Sequence, residues 1–351
     1  MEKVAILAIT KNGIKIASSI KQIFPRWQIY APSKFHVESA DIIWYDEQTA
    51  LKIAELFRNY DGIVCLFSLG AVIRLIAPHI KDKKTDPAII VIDDKASFVI
   101  SALSGHLGGA NELTEEIAKK LGATAVITTA ADVNKTIPVD LVGREFGWEI
   151  DDDSNVTRIS AMMVNEEKIG VYQDAGERDW WKGDLPKNVA VYDTLEELRR
   201  SDSKAYLIIS DRILDENLTK NAVVYRPKTL VAGIGLHTDT TKEKIIESVL
   251  FCLSQYKLSP KSLAKFASLK KPQDVPGLSD AAKELGLDVE YFQREELAKI
   301  NIPNPSDMVQ AFEGTPSVSE AAAIKSSKGE LVVEKQKFPP DLTVAVARIQ
   351  K

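Results

Sequence analysis

Cysteine and histidine are scarce in this chain, and their scarcity excludes several classes of protein. Among 351 residues there are two cysteines and four histidines. Cys65 and Cys252 provide no disulfide framework, which suits a reducing, cytoplasmic compartment. Cys65 sits in the apolar run Ile63–Phe67, where a buried structural thiol is expected. His36, His79, His106 and His237 are scattered, and neither Cys-x-x-Cys nor His-Glu-x-x-His occurs, so no protein metal site is expected. Gly-x-Ser-x-Gly is missing, and with it a nucleophile elbow. The apolar runs fall short of the roughly 20 residues that span a bilayer, and Met1–Ile9 lacks the apolar length and cleavage site of a signal peptide. Positive charge is not in excess. Lys and Arg total 45 against 50 Asp and Glu, a net −5, which argues against a nucleic-acid partner.

What the chain does contain is an ordinary globular composition, 45% hydrophobic and 27% charged, in a length that predicts two or three domains at roughly 150 residues each. Over residues 1–135, short apolar runs alternate with helical periodicity. Val4–Ile9, Gln28–Tyr30, Ile42–Tyr45, Ile63–Phe67 and Ala88–Ile92 are expected strands. Asn12–Phe24, Thr49–Asn59, Ala71–Ala77 and Leu107–Leu121 are expected helices, the last ended by Gly122 in a left-handed cap. Phe98–Ser101 is placed to pair back on Ala88–Ile92, and Thr124–Thr128 closes the set. Residues 136–226 open with a helix expected from Ile137-Pro138 and continue through strands at Ile169–Tyr172, Val189–Tyr192, Ala205–Ile209 and Ala222–Tyr225. A loop rich in Asp, Gly, Trp and Pro is expected over 173–187. Residues 227–351 begin with Thr229–Ile234 and the helix Thr241–Gln255. Strands are then expected at Lys261–Leu269, Val289–Phe292, Leu331–Val333 and Leu342–Arg348, with helices at Asp280–Leu285, Arg294–Lys299, Ser306–Ala311 and Ser317–Ile324. The fold class is therefore α/β: three units, each a parallel or mixed sheet flanked by helices.

The densest unusual cluster runs from Leu69 to Glu112. Gly70 follows a buried strand, where open α/β sheets bind ligands, and Arg74, Lys81, Lys83 and Lys84 supply positive charge nearby. These residues form either a solvated basic loop or a rim for carboxylates or phosphates, anchored by the Arg74 fork. Ser104-Gly105-His106-Leu107-Gly108-Gly109-Ala110-Asn111 places three glycines at the mouth of a helix, where a ligand can approach the backbone closely. At a helix N-terminus the cationic form of His106 is disfavoured, which suits a base or a neutral donor. Ser104 is expected as an N-cap rather than a nucleophile. Asp93-Asp94 closes a strand, where it meets a substrate or caps a turn. Gly233-Ile234-Gly235 starts like a dinucleotide fingerprint, but Thr238 stands where the third glycine belongs, which leaves a tight, anion-tolerant turn. Thr315 or Ser317 with Glu320 has the spacing of a capping box. Lys335 and Lys337 either reach an acidic ligand or are solvated strand-end lysines.

These segments resemble the cobalt-precorrin-5A hydrolases, the CbiG-type enzymes of the anaerobic route to cobalamin. The resemblance is carried by Gly70–Pro78, Lys81-Asp82-Lys83, Thr85-Asp86-Pro87-Ala88 and Asp93-Asp94. It continues in Phe98–Ser101, Leu103–Leu113, Thr128-Thr129-Ala130 and Asp132-Val133. In the last third it includes Gly233-Ile234-Gly235, Pro303–Ser306, Gly314–Val318, Lys335–Phe338 and Thr343–Arg348. The chain departs from the pattern at Leu236-His237-Thr238, where the family continues with cysteine and basic residues. The resemblance implies opening of the ring A δ-lactone of cobalt-precorrin-5A by water, with release of acetaldehyde and formation of cobalt-precorrin-5B. The cobalt travels with the substrate, so no cofactor is implied. His106 is then the candidate base, with Asp94 or Glu112 to orient it and the Gly108 and Gly109 amides as oxyanion donors. Gly70, Arg74, Lys81, Lys83, Lys84, Ser104, Gly105, Asn111, Gly233, Gly235, Thr315 and Lys337 are candidate substrate contacts, several facing the carboxylate arms. Neighbouring precorrin methyltransferases are candidate partners, and a homodimer is admissible. The alternative function is a non-catalytic corrinoid carrier, which needs only the basic rim.

Overall fold

The computed structural model describes residues 3–38, 41–273, 275–306 and 315–350. The chain divides into two compact units, Met1–Leu141 and Val142–Lys351. The first unit contains strands β1 (Val4–Ala8), β2 (Gln28–Pro32), β3 (Ile42–Tyr45), β4 (Gly62–Leu66), β5 (Ala88–Ile92), β6 (Phe98–Leu103) and β7 (Thr124–Val126). Its helices are α1 (Lys11–Ile23), α2 (Thr49–Asn59), α3 (Leu69–Ile76), α4 (Ala110–Leu121) and α5 (Ala130–Val133). The strands form one sheet in the order β3-β2-β1-β4-β5-β6-β7.

β1, β4 and β5 are buried along their whole length, because helices cover both faces and leave no polar side to alternate with. On one face Ile14, Ala17 and Ile20 of α1 pack with Val64 and Ile90. On the other, Ile53, Leu56 and Phe57 of α2 pack with Ile63 and Ile89. Each such aliphatic side chain contributes about 1.5–3 kcal/mol when fully buried. Gly122 ends α4 in the left-handed conformation, as its position in the sequence predicts.

One reversal in this sheet decides where the site lies. β1 to β5 are mutually parallel, but β6 pairs antiparallel with β5, Ile92 opposite Val99 and Ile89 opposite Leu103. β7 then runs parallel to β6. The loops that follow β6 and β7 therefore emerge at the edge where β4 and β5 begin, opposite the edge where those strands end.

The second unit carries two sheets. The first comprises β8 (Glu149–Ile150), β9 (Ile169–Gln173), β10 (Val189–Tyr192), β11 (Ala205–Ile209) and β12 (Ala222–Arg226) in the order β10-β9-β11-β12-β8, with α6 (Val156–Val164), α7 (Leu195–Arg200) and α8 (Glu216–Thr219). The other comprises β13 (Leu230–Leu236), β14 (Leu263–Leu269), β15 (Asp288–Phe292), β16 (Leu331–Phe338) and β17 (Leu342–Arg348) in the order β15-β14-β13-β17-β16. Its helices are α9 (Lys242–Gln255), α10 (Pro276–Glu284), α11 (Arg294–Leu297) and α12 (Val318–Ser327). Fully buried Asp211 ties the two sheets together, accepting from Arg348 Nε at 2.7 Å, Arg348 Nη2 at 2.8 Å and Thr229 Oγ1 at 2.9 Å. With three mixed or parallel sheets flanked by helices, the α/β class holds.

Three local expectations change. The helix expected from Ile137-Pro138 is instead a series of turns ending in a 3₁₀ turn at Arg144–Phe146. Gly143 is left-handed there, and a Cβ on it would stand 1.9 Å from the Trp148 ring. Gly233 and Gly235 do not form a turn but lie inside β13, buried. A Cβ on Gly233 would stand 1.9 Å from the Ser319 carbonyl oxygen, so that glycine is there because α12 crosses against the strand. The capping box at α12 is not formed: Ser317 makes no side-chain cap. The helix expected over 306–311 falls at residues that, Ser306 apart, lie outside the described ones. The 173–187 segment is a loop, as expected, and closes on itself through Trp180 Nε1 to Gln173 Oε1 at 2.9 Å. Among the described residues no helix is long and apolar enough to cross a membrane.

Candidate active site

The loop after β6 is built by side chains that need missing Cβ atoms. A Cβ on Gly105 would stand 2.6 Å from Asn111 Oδ1, and one on Gly108 would stand 2.3 Å from Ser104 Cβ. Ser104 is left-handed, with φ 56°, and its carbonyl accepts from the Ala110 amide at 3.1 Å. It is not the N-cap of α4. That position is held by left-handed Gly109, while Ser104 Oγ donates to the Asp86 carbonyl at 2.9 Å. Asp86 in turn accepts from the Lys81 amide at 2.9 Å and the Asp82 amide at 3.1 Å. The basic loop of Lys81, Lys83 and Lys84 is thereby fixed beside the histidine loop.

His106 stands between two carboxylates. Its Nε2 is 3.0 Å from Asp132 Oδ2 and its Nδ1 is 3.3 Å from Asp140 Oδ1. A neutral imidazole has one N–H and can satisfy only one such acceptor, whereas the imidazolium satisfies both. The pKa of His106 is accordingly raised, by the hydrogen bond to Asp140 first, against burial, and then by Asp132. Burial pushes the Asp140 carboxyl up, but the His106 hydrogen bond and charge, with Lys83 behind them, bring it below the usual range. This overturns the expectation that the helix N-terminus disfavours the cation. α4 begins only at Ala110, and two adjacent carboxylates outweigh its dipole.

A second tier holds the first. Asn111, buried on the first turn of α4, donates to Asp132 Oδ2 at 2.7 Å and to Thr129 Oγ1 at 2.8 Å, and accepts from Ser101 Oγ at 2.6 Å. Asp132 Oδ2 thus takes both Asn111 and His106, whereas Oδ1 meets no partner among the described residues.

Several expected contacts lie elsewhere. Asp94 does not orient His106. It follows the far end of β5, where Oδ1 accepts from Thr10 Oγ1 at 2.8 Å, a strand length of about 16 Å from the edge that carries His106. Gly70 follows β4 at that same far edge, and Arg74 Nη1 donates back to the Gly70 carbonyl at 3.0 Å. Glu112 stands exposed on the first turn of α4, where its charge suits the helix dipole, and the carboxylates on the imidazole are Asp132 and Asp140 instead. The Gly109 amide donates to the His106 carbonyl at 2.9 Å, which removes it as an oxyanion donor. Gly233, Gly235, Thr315 and Lys337 belong to the other unit. Asp132 already carries the resemblance through Asp132-Val133, but Asp140 has no local sequence signal because it sits among turns. No group of three His, Cys, Asp or Glu among the described residues is arranged to hold a metal ion.

A carboxylate-flanked histidine beside a lysine-rich loop, on the first of three α/β sheets, brings together groups able to give and take protons and a local positive charge. The chain belongs to the cobalamin biosynthesis CbiG family. The N-terminal, central and C-terminal models of that family match residues 52–132, 137–227 and 230–347. It is 40% identical to the cobalt-precorrin-5A hydrolase of Priestia megaterium, over 98% of this chain and 94% of that one. Identity to the cobalt-precorrin-5A hydrolase of Salmonella typhimurium is 29%, over 95% and 94% of the two chains. Among solved structures, a cobalamin biosynthesis protein G homolog from Sulfolobus solfataricus aligns over 99% of this chain and 98% of its own, with 21% identity and a TM-score of 0.39, a loose likeness.

Proposed function

We propose that this chain is a cobalt-precorrin-5A hydrolase. Water opens the ring A δ-lactone, and a two-carbon fragment then leaves as acetaldehyde, giving cobalt-precorrin-5B. The observation that carries the site assignment is the Asp140–His106–Asp132 array beside the Lys81–Lys84 loop.

The array supplies a proton donor first and an acceptor second. As water adds to the acyl carbon, Asp132 Oδ1 takes a water proton. When the acyl–oxygen bond breaks, the departing alkoxide takes the Nε2 proton of the His106 imidazolium. The products of this step are a carboxylic acid arm, which keeps the second proton of the water, and a free hydroxyl. Neutral His106, with Asp140 still holding its Nδ1–H, then removes the hydroxyl proton. The carbon–carbon bond breaks, its electron pair goes to the macrocycle, and acetaldehyde departs. The proton left on Asp132 balances the charge gained by the macrocycle. His106 is therefore an acid before it is a base, which a raised pKa favours. Lys81, Lys83 and Lys84 pair with acetate and propionate arms. Free, buried Cys65 and Cys252 fit a reducing compartment, the cytoplasm.

Anaerobic incubation of the purified chain with cobalt-precorrin-5A tests this reading. Acetaldehyde and a product two carbons lighter are expected together. Binding without acetaldehyde would make the chain a corrinoid carrier.

A further inference from the structure

The N-terminal turn of α12 holds three buried polar atoms that no described residue satisfies. Among the described residues Ser317 Oγ, Ser319 Oγ and Glu320 Oε2 have no hydrogen-bond partner, although their residues are only 1%, 0% and 0% exposed. They occupy the N-cap, second and third positions of a ten-residue helix whose N-cap side chain makes no cap. A buried polar group left unpaired costs about 1–3 kcal/mol, and native folds keep few of them. Three within four consecutive residues is more than stability alone would retain.

The surroundings narrow what would satisfy them. Glu320 Oε1 is already fixed, accepting from Asn304 Nδ2 at 2.8 Å and from the Lys335 amide at 3.2 Å. The Lys335 ammonium donates to the Asn304 carbonyl. Asn304 also donates to Glu334 Oε2 at 2.9 Å. Lys335 feels the charges of both Glu320 and Lys337, and with Glu334 held on Asn304 the two lysines and two glutamates sum to zero. A further full negative charge would meet only the helix dipole. The serine hydroxyls can each give and take a hydrogen bond, but Glu320 Oε2 can only accept. A group that satisfies all three must therefore carry a donor and an acceptor side by side without adding a net charge. A carboxylic acid whose proton is shared with Glu320 meets that requirement.

We propose that this turn is a recognition subsite for a carboxylic acid arm of a corrinoid, its O–H shared with Glu320 Oε2 and its carbonyl oxygen accepting from Ser317 and Ser319. The identity of the ligand rests on the corrinoid reading above; the need for a donor–acceptor group rests on the unpaired atoms alone.

The test uses the full chain, the double variant Ser317→Ala/Ser319→Ala, and cobyrinic acid as the probe. Removing hydroxyls that the free fold leaves unpaired is expected to keep the Tm of the free chain unchanged or to raise it. Affinity for cobyrinic acid, followed by its visible spectrum, is expected to drop roughly tenfold or more, the loss of two hydrogen bonds. A lower Tm for the free variant would overturn the proposal, because the hydroxyls would then be serving the fold, for example through ordered water. An unchanged Tm with unchanged affinity would overturn the subsite and leave the corrinoid reading standing. Failure of the unaltered chain to bind cobyrinic acid would overturn both.

Discussion

His106 Nδ1 stands 3.3 Å from Asp140 Oδ1, and Asp140 is the more enclosed of the two carboxylates on the ring, with a side-chain exposure of 15% against 42% for Asp132. The enclosed partner therefore fixes the imidazole, and the other is the one open to solvent.

The first prediction concerns protons. In the folded chain the pKa of His106 is raised from its ordinary value of 6.5. Protonation therefore favours the fold. That contribution is complete below the ordinary value and is lost as pH rises through the raised one. Denaturant midpoints of the unaltered chain and of His106→Gln, compared between about pH 5.5 and 9, should converge as pH rises. Asp140→Asn should bring the His106 titration, followed by NMR, down towards the ordinary value. A titration that does not move would remove Asp140 from this role.

Asn111 should matter more to turnover than to binding. It pins Asp132 Oδ2, which His106 also meets. Asn111→Ala leaves Ser101 and Asp132 short of a partner and should cost about 1–3 kcal/mol of stability. Turnover at 20 °C or below, where the variant stays folded, should fall by roughly tenfold or more with KM little changed. A raised KM with unchanged kcat would make Asn111 a substrate contact instead.

Two basic residues that look alike in sequence should behave differently. Lys83 acts on Asp140 within the site, whereas Arg74 is tied to its own helix at Gly70. Lys83→Ala should weaken corrinoid binding and raise the Asp140 pKa, while Arg74→Ala should leave the His106 titration unchanged. Equal effects on that titration would contradict the placement.

Gly233→Ala should unfold or severely weaken the second unit. Its Cβ would need the space of the Ser319 carbonyl oxygen, at 1.9 Å, and backbone cannot yield as a flexible side chain can. A cost of about 3 kcal/mol or more in chemical denaturation is expected, and a variant as stable as the parent would refute the packing role.

Element type and the α/β class were legible because burial imposes period and composition. The all-apolar β5 and the i, i+3 spacing of Ile14, Ala17 and Ile20 leave few alternatives. The Ser-Gly-His-Leu-Gly-Gly-Ala-Asn run also pointed to His106. What the sequence displayed less openly was placement. Phe98–Ser101 pairs back on Ala88–Ile92 as expected, but only the assembled sheet shows that this reversal carries His106 away from Asp94 and Gly70. Asp140 was invisible for a related reason: a residue held among turns by tertiary contacts shows no periodicity. Gly233 and Gly235 misled because a glycine needed for close packing has the same letter as one needed for a turn.

The most direct measurement is acetaldehyde release from cobalt-precorrin-5A by His106→Ala, compared with the unaltered chain. Release should fall by about 100-fold or more, with corrinoid binding retained. Release at the unaltered rate would contradict the assignment of His106 as the group that moves the proton.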